Sequence, residues 1–152
     1  MHARATSVLL ACLVPALASA EVLLERAHTS GYIPEEYSFA STCSLHDTGQ
    51  ITTEHRAGSR LMSHQSQQLQ ISLTTLRASI AEARNSELVA VEPFPVDGPT
   101  LRYRAFRKLA DGRQGEVLLW EEDGGAGRKR ENTSPAAIRL RTFIDLNCGP
   151  VR

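Results

Sequence analysis

Cys43 and Cys148 lie 105 positions apart, the first in a stretch that alternates like a strand and the second at the end of one that repeats like a helix. Tyr37, Phe39, Ser41, Cys43 and Leu45 share one face of the first stretch. In the second, Ser134 is a helix cap, Pro135 suits a first turn and Gly149 a stop. Ala136, Ala137, Leu140, Phe143, Ile144 and Cys148 form its apolar stripe, with Arg139, Arg141, Thr142 and Asp145 off it. A disulfide between the two cysteines bolts this helix to a sheet, and the chain-entropy model assigns such a long loop about 4 to 5 kcal/mol.

That pairing requires an oxidising compartment, and the N-terminus supplies the expectation of one. Arg4, an apolar run from Val8 to Val14, Pro15, and small residues at Ala18 and Ala20 read as a secretory signal peptide over 1–20. The run is too short to span a bilayer, which takes about 20 residues. Lipidation at Cys12 is disfavoured, because only Val8 to Ala11 of the apolar run precede it and the run continues beyond it. The expected product is exported, periplasmic or extracellular, with no membrane insertion, and residues 21–152 form a single α+β domain. Cys12 leaves with the leader, so the remaining two cysteines are expected to pair, the rival being two free thiols with Cys43 as a nucleophile.

The chain carries 17 basic and 17 acidic side chains. That balance argues against nucleic acid as a partner, since such binding rests on an excess of Lys and Arg. Asp47 to Gly49 makes a turn between the Cys43 strand and a Thr-rich return strand, Gln50 to Arg56. A further strand is expected near Gln68 to Ile71, then a helix from Leu73 to Asn85 capped by Ser72, and a short strand at Leu88 to Val91 before Pro93 and Pro95. Thr100 to Leu109 and Glu116 to Glu122 form a hairpin, and Arg128 to Glu131 a basic strand. Val22 to Leu24 reads as a short edge strand at most. The sum is an antiparallel sheet of four to six strands with two helices packed on one face and one disulfide.

No motif for catalysis, a metal or a cofactor stands out. His28, His46, His55 and His64 are scattered, without HExxH, CxxC or GxSxG. Glu121, Glu122 and Asp123 are expected to face Arg128, Lys129 and Arg130 across paired strands rather than to bind a cation. Asn132 to Ser134 fits a glycosylation sequon, but Ser134 is needed as the cap. Strict alternation in the hairpin places Leu118 and Trp120 with Tyr103 and Ala105, leaving Phe106, Val117 and Leu119 on the other face, rimmed by Arg102 and Arg104. An apolar patch with an arginine rim suits an interface unless Val22, Leu23, Leu24 and Tyr32 fold over it.

The resulting expectation is an exported binding domain for a protein partner, for instance an enzyme that it inhibits, held on the sheet face or on the Pro93 to Pro99 loop and needing no cofactor. Two alternatives are a small hydrolase using His46 or His55 with a Ser or Asp, and a structural envelope protein with neither pocket nor apolar patch. Oligomeric state is not legible.

Overall fold

A computed structural model describes residues 20–31, 33–83, 88–91 and 96–150. The leader, Tyr32, the helix stop at Asn85, and Pro93 and Pro95 lie outside the described residues. The elements run β1 (Val22–Thr29), β2 (Phe39–His46), β3 (Gln50–Ala57), β4 (Arg60–Gln68), α1 (Leu73–Ala83), β5 (Leu88–Val91), β6 (Thr100–Lys108), β7 (Gln114–Asp123), β8 (Arg128–Asn132) and α2 (Pro135–Cys148). They build one antiparallel sheet in the order β4-β3-β2-β1-β6-β7-β8-β5. From the central pair β1 and β6, one meander runs outward through β4 and the other through β8, and each ends in a helix that returns over the sheet. The two helices lie side by side, and both pack on β7.

The sheet has eight strands, not four to six. One cause is β1, which is not a short edge strand but lies at the centre, paired with β2 and β6. Leu24, Arg26 and His28 form its helix-side face, in register with Leu45, Cys43 and Ser41 of β2. Glu25 and Arg26 break the apolar pattern in sequence, yet each is partnered: Arg104 binds Glu25, and Arg26 binds Asp145. The other cause is β4, which occupies Arg60–Gln68 instead of Gln68 to Ile71. It is an edge strand with both faces wet, so burial imposes no alternation on it.

The Cys43 face is as expected from Phe39 to Leu45, whereas Tyr37 ends a 3-10 turn, Glu35–Tyr37, ahead of β2 and is exposed. Leu45 pairs with Ile51, Cys43 with Thr53, and Ser41 with His55. Leu24, Leu45, Ile51, Tyr103, Ala105, Val117 and Leu119 meet Leu76, Ile80 and Ala83 of α1 and Ala136, Ala137, Leu140 and Ile144 of α2. Phe143 is only half-buried at the margin of this core. Ser72 Oγ accepts from Thr75 N at 3.3 Å at the start of α1. Ser134 Oγ accepts from Ala137 N at 3.1 Å and itself donates to Asn132 Oδ1 at 2.9 Å, so the cap is tied to β8. Cys43 and Cys148 are bonded, with their Cα atoms 6.0 Å apart. No helix among the described residues is long and apolar enough to cross a membrane.

The width of the sheet decides where function can sit. Eight strands at about 4.8 Å spacing span about 34 Å, whereas two helices packed at 8 to 10 Å cover about 20 Å. The helices rest on the middle strands, with α1 over β6 and β7 and α2 reaching from β7 to β3. The helix-side face of β4, and of β3 beyond Ile51, is therefore left bare.

Candidate functional site

The face away from the helices is a lattice of ion pairs. Glu121 is only 1% exposed, covered by three arginines. Its carboxylate meets Arg102 at 2.7 Å, Arg128 at 3.2 Å and Arg130 at 2.6 Å. Burial by itself would raise its pKa, but the hydrogen bonds from Arg130 and Arg102 outweigh that and hold the carboxyl below its ordinary range. The acidic run does face the basic one, with Glu121 opposite Arg130, Glu122 opposite Lys129 and Asp123 opposite Arg128. Arg104 binds Glu25 and, at 3.2 Å, Glu116, and its guanidinium lies 5.5 Å from the centre of the Phe106 ring.

Of the five residues expected to form a binding patch there, the structure brings Arg102, Arg104 and Phe106 to this face and takes away Val117 and Leu119. Val117 pairs with Ala105 and is 6% exposed, and Leu119 is 2% exposed in the core. A β-bulge is responsible. Between Tyr103 and Arg104 the register against β7 shifts by one residue, so Trp120 stays opposite Tyr103 while Leu118 falls opposite Arg104. Strict alternation put Leu118 on the wrong side. The N-terminal segment does not fold over this face either, because Val22–Thr29 is a strand within the sheet. The described part of the Pro93 to Pro99 loop is fastened to the β7–β8 turn, with Asp97 N donating to Gly124 O at 2.9 Å.

The bare wing offers the more open surface. Thr53, His55, Gln65, Gln67 and Ile51 floor a groove of about 720 Å³ whose other wall is Asn147, Cys148, Gly149 and Pro150 at the end of α2. Cross-strand pairing produces it: Ile51 is opposite Gln67, Thr53 opposite Gln65 and His55 opposite Ser63, so these side chains share the helix side. None of the groove's lining residues is an Asp, Glu, Lys or Arg. His55 also lines a neighbouring recess with His28, Ser41, Phe39 and Met62. Phe39 is 62% and Met62 57% exposed. Burial first, and Arg26 second, lower the pKa of His28, which favours the neutral ring.

No family model, curated protein or solved structure matches this chain. The residues themselves carry the functional reading. His46 Nε2 is 3.1 Å from Thr52 Oγ1 and His64 Nδ1 is 3.4 Å from Glu54, both on the face away from the helices. Ser41 and His55 are register neighbours, but among the described residues neither His46 nor His55 is hydrogen-bonded to a Ser or an Asp. Among the described residues no group of three or more His, Cys, Asp or Glu is placed to hold a metal ion.

Sequence reasoning missed the groove. The available signal was the alternation Ser63, Gln65, Gln67 on a strand without apolar partners, which marks a strand beyond the reach of a two-helix layer.

Proposed function

We propose that this chain is an exported binding domain whose protein partner docks on the bare β3–β4 wing. The observation that carries this reading is the groove of about 720 Å³ between that wing and the end of α2. Its uncharged hydrogen-bonding floor adjoins exposed Phe39 and Met62. A charge-depleted centre with aromatic residues and Met is the composition of a protein interface. The groove and the exposed apolar pair favour binding over a structural envelope role. On the opposite face, Arg102 and Arg104 already have carboxylate partners and have little left to offer a ligand.

The test is retention of a partner by the immobilised oxidised protein from envelope and culture-fluid extract, identified by mass spectrometry. One stoichiometric protein is expected, lost when Thr53→Arg and Gln65→Arg are combined and kept with Phe106→Ala on the opposite face. Retention that ignores the groove variants, or no retention at all, contradicts the proposal.

A further inference from the structure

β4 forms one edge of the sheet over nine residues, and no described strand pairs on its outer side. Leu69 N donates to Gly49 O at 3.0 Å. The register then makes Gln67, Gln65 and Ser63 the residues bonded to β3, because hydrogen-bonded pairs alternate in an antiparallel ladder. The backbone N–H and C=O groups of His64, Ser66 and Gln68 consequently turn outward. Natural edges are guarded by Lys, Pro, bulges, short length or a cover. β4 has neither Lys nor Pro, and its single bulge lies opposite His55 and Arg56, near its start, leaving Ser63 to Gln68 regular and unguarded.

We propose that β4 pairs with β4 of a second copy, antiparallel about a two-fold axis at Ser66, joining two sheets edge to edge. The side chains suit their own copy. This axis sets Gln65 opposite Gln67 of the second copy on the groove side, and His64 opposite Gln68 of the second copy on the other. A glutamine amide both donates and accepts, so opposed glutamines satisfy one another twice over under two-fold symmetry. The charged or titratable residues of β4 are Arg60 and His64, and neither faces its own counterpart in this register. The two grooves then lie on the same side of one continuous sheet. This association goes beyond the groove reading and does not rest on it.

The test is the mass of the purified oxidised protein by light scattering and sedimentation between about 1 µM and about 1 mM, a range that spans weak interfaces. A dimer is expected. Ser66→Pro removes an outward N–H without touching the β3 ladder, so it should weaken dimerisation by at least about tenfold while leaving the circular dichroism unchanged. Gln65→Lys with Gln67→Lys places like charges opposite each other and should give a monomer. Gln65→Lys with Gln67→Glu restores opposite charges and should return a salt-sensitive dimer, which decides the matter even if the proline variant fails to fold. A monomer at every concentration overturns the proposal, as does a dimer that survives both Ser66→Pro and the lysine pair. Protection of the Ser66 amide only when a foreign protein is bound overturns self-pairing in favour of a strand from that protein.

Discussion

Arg26 and Asp145, 119 positions apart in sequence, are joined at 2.9 Å beneath the last turn of α2. Arg26 also donates to Gly149 O at 2.8 Å, placing a cation where the helix carbonyls run out of partners. The guanidinium is buried in the middle of the sheet, with Cys43 beside it on β2 and Tyr103 beside it on β6. Replacement by methionine keeps much of the volume and removes the charge. Because Asp145 remains partly solvated, we expect Arg26→Met to cost about 2 to 3 kcal/mol in urea denaturation, less than a fully buried pair. A loss below about 0.5 kcal/mol would show that this contact does not hold the helix.

The same aspartate gives the protein an alkaline limit. Tyr103 OH donates to Asp145 Oδ1 at 2.9 Å, and burial, followed by that hydrogen bond and the carboxylate charge, pushes its pKa from 10.0 to about 12. The folded state keeps this proton where the unfolded chain has lost it. The contribution is thus whole below pH 10 and disappears as pH rises to about 12. Stability should fall through that window by on the order of 2 kcal/mol, and Tyr103→Phe should flatten that part of the profile. An unchanged slope in the variant would assign the alkaline loss to other groups.

The Cys43–Cys148 bond closes a loop of 105 positions. Thiol labelling of the unfolded, unreduced protein should find neither cysteine free, and Cys43→Ser with Cys148→Ser should lower stability by about 4 to 5 kcal/mol. Stoichiometric labelling would mean that α2 is held by packing and Arg26 alone.

The two ends of this clamp were readable because each element declares itself locally. Ser134 and Pro135 start α2, and the alternation through Phe39 and Leu45 fixes which way Cys43 points. The pairing of Glu121 to Asp123 with Arg128 to Arg130 was readable for the same reason, since a short turn joins the two runs. β1 was not, because Arg26 reads as a solvent residue until Asp145 is known to lie over it. β4 carries no apolar pattern because no element covers it, and the groove that it floors was lost with it. The patch assigned to Val117 and Leu119 failed on one inserted residue, as a bulge leaves no mark in hydrophobic alternation.

That bulge is testable by a pair of truncations. Leu119→Ala should cost about 2 to 5 kcal/mol as a core substitution, whereas Leu118→Ala, half-buried opposite Arg104, should cost about 1 kcal/mol or less. Equal costs, or the reverse order, would restore the unbulged register measured by denaturant titration.

Photo-cross-linking distinguishes a partner seated on the wing from one seated on the ion-paired face. A photoreactive side chain installed at Asn147 lies on the groove wall, and one installed at Phe106 lies on the opposite face beside Arg104. Irradiation of the retained complex should link the partner from position 147 and leave it free at position 106. Linkage from position 106 alone would place the partner on the ion-paired face and return the binding surface to Arg102, Arg104 and Phe106.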